Sequence, residues 1–216
     1  MYSSVPPALF LGNKQVQSMV RSVLRLRSSV SDLVFLKGFL KNWREVGSPV
    51  PSSRHVAKKI CGLIDFDRAG TVVEIGAGTG VITHEILQSL QPHANLVTFE
   101  LNAQFCDRLK SIGDSRLTVH NISAFQMQRV LAEKADYVVS GIPIATLSKS
   151  EFHRLCESVN AVLRPGGVFI QLQLSLVSYG RLKRFFREVN VGFTFRNTPP
   201  AFMYCCRSPV VERICA

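Results

Sequence analysis

From residue 53 onward the chain alternates between two hydrophobic rhythms. Short apolar runs at 72–75, 95–99, 116–120, 135–140 and 168–174 have the near-continuous character of buried strands. Between them, 53–64, 81–90, 102–112 and 151–163 carry apolar residues at helical spacing. At 181–187, Phe185 and Phe186 sit among Arg181, Lys183, Arg184 and Arg187, which reads as a further, basic helix. This alternation predicts an open α/β sheet of mostly parallel strands with helices on both faces. Arg164-Pro165-Gly166-Gly167 predicts a turn leading into the fifth strand. Two last runs, 191–196 and 201–207, joined by Asn197-Thr198-Pro199-Pro200, predict a closing hairpin that completes seven strands with the final one antiparallel.

Residues 1–54 form a separate segment ahead of the domain at 55–216. Val16, Met19, Val20, Val23, Leu24 and Val30 recur at helical spacing, followed by Leu33, Phe35, Leu36, Phe39, Leu40 and Trp43. The segment holds eight basic residues against Asp32 and Glu45 alone. Basic amphipathic helices with Phe and Trp on the apolar side suit an anionic membrane interface. The alternative is that they cap the sheet with their basic residues solvated. The Pro- and Ser-rich stretch 47–53 reads as the loop between the two parts.

The chain's organising feature is Val72-Val73-Glu74-Ile75-Gly76-Ala77-Gly78-Thr79-Gly80, a buried strand that breaks into alternating glycines before a helix. Such a turn lets backbone N–H groups approach a ligand with no Cβ in the way, at the carboxyl end of a strand. The second strand ends in Glu100, 26 positions after Glu74, where an acid can accept both hydroxyls of a ribose.

These residues resemble the first two motifs of the class I S-adenosylmethionine-dependent methyltransferases. The resemblance implies a Rossmann-like sheet and S-adenosylmethionine as cofactor, released as S-adenosylhomocysteine. It assigns Glu74, Gly76, Ala77, Gly78 and Gly80 to the methionine end, Glu100 and Leu101 to the ribose end, and Ser140 to the same cofactor site. Where this class usually has Gly-Asp-Ala to meet the adenine, the chain reads Asn121-Ile122-Ser123-Ala124. The adenine then falls to backbone groups, Asn121, Ser123 or the apolar Ile122.

Ser140-Gly141-Ile142-Pro143, at the end of the fourth strand, stands at the methyl-transfer corner of such enzymes. In amine methyltransferases a polar residue and a following proline there present carbonyls that orient the nucleophilic nitrogen, so catalysis is mainly positioning. With Phe169-Ile170-Gln171-Leu172 and Asn197-x-Pro199-Pro200-Ala201, this phrase is similar to the bacterial phospholipid N-methyltransferases over about residues 35–208. That family methylates phosphatidylethanolamine toward phosphatidylcholine. It typically has a Tyr in a Gln-x-Thr-Tyr pattern where this chain has Leu174, which removes an aromatic face for a methylated ammonium. Phe193, Phe195, Phe202 and Tyr204 are possible substitutes, and Glu74 and His120 are candidate bases. The rival readings are an adenine N6-dimethyltransferase acting on rRNA and a binding protein that keeps the fold without turnover. The first requires an aromatic after the catalytic proline, where this chain has Ile144.

Charge and cysteine content narrow the partners. In 216 residues the net charge is +11, which favours an anionic partner, and a membrane with an amine-bearing phospholipid fits better than nucleic acid. No apolar run reaches the roughly 18–20 residues of a membrane span, so the chain is expected to be cytoplasmic and peripheral at the inner face of the cell membrane. The six cysteines have no metal-ligand spacing, so no metal is expected, and they read as free thiols.

Overall fold

The computed structural model describes residues 15, 16, 18, 19, 54–194 and 201–207. At its centre is β1 (Thr71–Ile75), all five residues buried, flanked in parallel by β2 (Asn95–Phe99) and β4 (Ala135–Ser140). With β3 (Leu117–His120), β5 (Leu163–Gln173), β6 (Glu188–Thr194) and β7 (Ala201–Arg207), the sheet order is β3-β2-β1-β4-β5-β7-β6. β7 runs antiparallel to both β5 and β6, as the closing hairpin requires.

A strand alternates its side chains between two faces, and the apolar residues here divide accordingly. Val72, Val139 and Ile170 face α1 (Arg54–Cys61) and α2 (Val81–Ser89), whose Ile60, Ile82 and Ile86 complete that core. Val73, Val138 and Phe169 face the opposite core with α4 (Lys149–Val162), reached after α3 (Ala103–Lys110) and the 3-10 turn Ala124–Arg129. α4 starts on a capping box in which Ser148 accepts from the Glu151 N–H and the Glu151 carboxylate accepts from the Ser148 N–H.

The register aligns the strand ends. Ile75 pairs with Phe99 on one side and with Ser140 on the other, and Ser140 pairs with Gln171. The chain therefore leaves β1, β2 and β4 along one edge of the sheet, with Gln171 of β5 beside it.

Three expectations are corrected in detail. Arg164-Pro165-Gly166-Gly167 lies inside β5 as a bulge, because the pairing jumps from Ala135–Leu163 to Tyr137–Val168. The basic helix at 181–187 is only the single turn α5 (Tyr179–Leu182). Beyond it, Phe186 stacks on Phe169 at 5.4 Å and the Arg187 N–H bonds to the Arg207 carbonyl, so pairing with β7 takes over and β6 begins at Glu188 rather than 191.

Most of the N-terminal segment and Phe195 lie outside the described residues. Of that segment, Val16 and Met19 are helical; Val16 is buried in the core on the α4 face and Met19 packs against it. Val16 and Met19 are thus covered by the domain. The cysteines at 61, 106, 156, 205 and 206 are free and buried, and burial pushes the Cys61, Cys156 and Cys205 thiols up to about 12.

Candidate active site

The glycine turn and the fourth-strand corner touch. A Cβ on Gly141 would lie 2.7 Å from the Gly76 carbonyl oxygen, and one on Gly76, at φ +70°, would lie 2.9 Å from Ile142 Cγ1. Two glycines therefore permit the contact that brings the β1 and β4 loops to one place.

Glu100 ties the second strand into the same turn. Its Oε2 accepts the Gly78 N–H at 2.9 Å, while Oε1 accepts those of Leu101 and Asn102 at 2.8 and 2.9 Å. Each carboxylate oxygen carries more than one lone pair, so the group holds its loop and retains acceptor capacity for a ribose. Leu101 beside it is 71% exposed, an apolar side chain in solvent next to a polar cradle. Asn121 donates from Nδ2 to the Glu100 and Leu101 carbonyls at 2.9 and 3.0 Å, joining the end of β3 to that of β2. Ile122 is half-buried nearby in sequence, and Ser123 caps the following 3-10 turn by accepting from Phe125.

Glu74, expected at the methionine end and as a candidate base, is turned into the core. It is 1% exposed, on the α1–α2 face with Val72, and its Oε2 accepts from Thr83 Oγ1 at 2.6 Å. Burial raises its carboxyl to about 7, against the lowering effect of the Thr83 hydrogen bond. It braces α2 beneath the glycine turn. It also stands on the other face of the sheet from the Ser140 side chain, which removes it as a base for a nitrogen held there. His120, the other candidate, stacks on Phe99 with ring centroids 5.3 Å apart.

At the corner, Ser140 is fully buried and its Oγ accepts the Ile142 N–H at 3.2 Å; Gly141, Ile142 and Pro143 are half-buried. Gln171 and Gln173, on the same face, aim their amide nitrogens at this corner. Gln171 Nε2 donates to the Ile142 carbonyl at 2.8 Å and lies 3.3 Å from that of Ser140; Gln173 Nε2 lies 3.3 Å from the Ile142 carbonyl. Both also reach the Leu172 carbonyl at 2.7 Å. The sequence pointed to Gln171 only as a signature, and Gln173 not at all. Their period of two along a strand ending beside Ser140 was the available signal.

Leu174 packs against the α1–α2 core, on the face away from Gln171 and Gln173, so it does not fill the place of an aromatic wall. Tyr204 is fully buried with its hydroxyl donating to the Ser175 carbonyl at 2.8 Å, which removes it as a substitute too. Phe202, opposite Gln173, and Phe193, 4.8 Å from it centroid to centroid, remain half-buried on the glutamine side.

Comparison with known proteins agrees with this geometry. A family model described as "Methyltransferase domain" matches residues 72–167, from β1 into β5. An ornithine lipid N-methyltransferase of Singulisphaera acidiphila is 34% identical over 182 residues, covering 81% of this chain and 94% of that protein. The chain belongs to the class I S-adenosylmethionine-dependent methyltransferases, in one family with that enzyme. Among solved structures, the methyltransferase resembles a precorrin-6y C5,15-methyltransferase from Geobacter metallireducens, with TM-score 0.61 and 16% identity over 74% of this chain and 94% of that one. It also resembles the N-methyltransferase NodS from Bradyrhizobium japonicum, solved with S-adenosyl-L-homocysteine, at TM-score 0.57 and 16% identity over 77% and 91%. These two likenesses establish the fold.

The cradle fits S-adenosylmethionine. A glycine turn with Gly76, Gly78 and Gly80 at positive φ, an acid with acceptor capacity and an exposed Leu101 stand in sequence along one sheet edge. In such a site Gly76–Gly80 would hold the methionine end, and Glu100 with Leu101 the ribose end. When bound, the cofactor supplies an electrophilic methyl on a sulfonium; the chain's part is to hold it and aim a nucleophile at it.

Proposed function

We propose that this methyltransferase N-methylates the amine of a membrane-lipid head group. The observation that carries the reading is the convergence of the Ser140, Ile142 and Leu172 carbonyl oxygens at the end of β4, anchored by two buried glutamine amides. Carbonyl oxygens favour an ammonium or amine, with its several N–H donors, over an anionic nucleophile, because they offer only acceptors. Held so, the nitrogen keeps its N–H bonds toward the carbonyls and its lone pair toward the methyl group, and catalysis is chiefly orientation. The related Singulisphaera enzyme, named for ornithine lipid, supports a lipid amine as the nucleophile.

Phosphatidylethanolamine and its methylated forms, leading to phosphatidylcholine, are the proposed substrates, with ornithine lipid as the second. The proposed site of action is the inner face of the cell membrane. An anionic surface is favoured by the net charge of +11 and by exposed Lys183, Arg184 and Arg187. Among the described residues no helix is long and apolar enough to cross a membrane.

The deciding experiment incubates the purified protein with S-adenosylmethionine and mixed micelles of each lipid, with RNA as a further arm, and identifies methylated products by mass spectrometry. Methyl groups on either lipid support the reading. Methylated RNA with unmodified lipids would overturn it.

A further inference from the structure

Gln171 lies on β5 between Ser140 of β4 and Tyr204 of β7 and is fully buried. Its Nε2 is surrounded by the carbonyl oxygens of Ser140, Ile142 and Leu172 at 3.3, 2.8 and 2.7 Å. Three acceptors around one atom fix which way the amide points, since the reverse orientation would set oxygen against oxygen. Gln171 Oε1 is thereby left buried with no donor among the described residues. Buried acceptors are nearly always paired, so an orphan at the end of a catalytic strand marks a place for a donor that arrives with a ligand.

We propose that Gln171 Oε1 accepts an N–H of the substrate amine, making Gln171 a substrate-orienting residue that favours nitrogens still bearing hydrogen. The idea rests on the lipid-amine reading above. The nucleophile must be neutral: its lone pair forms the new N–C bond as the C–S bond breaks toward sulfur, and positive charge develops on nitrogen. Any remaining N–H becomes more acidic as this happens, so its bond to a carbonyl-type oxygen strengthens in the transition state. A primary amine brings two N–H groups, a secondary amine one and a tertiary amine none. Gln171 Oε1 therefore assists the first and second methyl transfers and has nothing to hold in the third. Because Oε1 is closed off in this structure, amine binding must open the site locally.

The test is single-turnover methylation by the full chain, loaded with S-adenosylmethionine. Its substrates are phosphatidylethanolamine, monomethyl- and dimethyl-phosphatidylethanolamine in mixed micelles, with ornithine lipid and its mono- and dimethylated forms run in parallel. Gln171→Met, of similar length and without hydrogen-bonding groups, is expected to slow the first two transfers about tenfold more than the third, which loses only the anchoring of the carbonyls. Gln173→Met keeps the orphan oxygen and is expected to change all three steps by one common factor. Equal losses at every step in Gln171→Met, or none, would overturn the proposal. Should that variant not fold, wild type decides: the trimethylated lipid, lacking an N–H, is expected to inhibit about tenfold more weakly than the monomethylated one, and equal inhibition refutes it. A wild type that binds S-adenosylmethionine by calorimetry but methylates no amine lipid sinks both readings. One that methylates without the step pattern sinks this inference alone.

Discussion

The Glu100 carboxylate accepts the Gly78 N–H at 2.9 Å, so the end of β2 holds the middle of the glycine turn of β1. One side chain thus shapes the turn expected to hold the methionine end while standing where the ribose is expected.

Substituting either partner is therefore expected to weaken S-adenosylmethionine binding. Glu100→Ala removes acceptors worth about 1.5–3 kcal/mol for a charged hydrogen bond, roughly ten- to hundredfold in affinity. Gly78→Val forces a branched residue to φ +54° in the turn expected to hold the cofactor. Isothermal calorimetry, with circular dichroism to verify the fold, reads both; unchanged affinity in Gly78→Val would remove the turn from the cofactor site.

Gly141→Ala is expected to lower the melting temperature, since the new Cβ falls 2.7 Å from the Gly76 carbonyl and backbone must shift. Overpacking of this kind typically destabilises by about 1–3 kcal/mol. The same shift misplaces Ile142, so methyl transfer should fall more than cofactor affinity does; calorimetry and a turnover assay on one sample separate the two.

Glu74 gives the protein a pH-dependent stability of predictable sign. Its folded carboxyl is raised by burial to about 7, from a reference of 4.5, so the folded state binds the proton more tightly than the unfolded chain. Stability then falls as pH rises from about 4.5 toward 7 and levels off above it, an effect of order 3 kcal/mol at most. Glu74→Gln should flatten that stretch of the profile in urea titrations. A wild-type stability that climbs over the same range, with no change in the variant, would contradict the assignment.

Membrane recruitment is best probed by substitution, because Val16 belongs to the core, Met19 packs against it, and truncating the N-terminal segment would injure the fold. Exchanging exposed Lys183, Arg184 and Arg187 for Ser should weaken sedimentation with phosphatidylglycerol vesicles by about tenfold or more at low salt, at about 1 kcal/mol per basic residue before screening. Arg181 is left in place, since its guanidinium lies 3.8 Å from the Phe152 ring centroid. Equal sedimentation of variant and wild type, or insensitivity to salt, would count against this face.

The late methylations are expected to depend on Phe202 rather than on residue 174. Phe202 and Phe193 share the glutamine side of the sheet, where an aromatic face attracts a methylated ammonium by about 0.5–2 kcal/mol. Phe202→Leu should shift the product distribution toward mono- and dimethylated lipid, whereas Leu174→Tyr, on the other face, should leave it unchanged. Mass spectrometry of the products distinguishes these outcomes.

The strand–turn–helix around Gly76–Gly80, the acid at Glu100 and the order of elements were legible in the chain because each depends on neighbours in sequence. A buried parallel strand needs an apolar run, a tight turn needs glycine, and βα alternation leaves few topologies. The closing hairpin was legible for the same reason. What the chain alone did not decide was which helices cover each face of the sheet and which face turns toward the site. Glu74 reads as a ligand-facing acid until α2 is seen to bury it against Thr83. Leu174 reads as the successor of an aromatic wall until it is seen to share the α1–α2 face with Ile170 and Leu172, opposite the glutamines. The helix expected at 181–187 stops short because, after internal turn bonds that reach the Phe186 N–H, the Arg187 N–H goes to Arg207 and pairing with β7 takes over. The clamp of Gln171 and Gln173 on the Ser140–Ile142 corner joins residues about thirty positions apart. Only the parallel register of β4 against β5 brings them together, and local propensity holds no information about register.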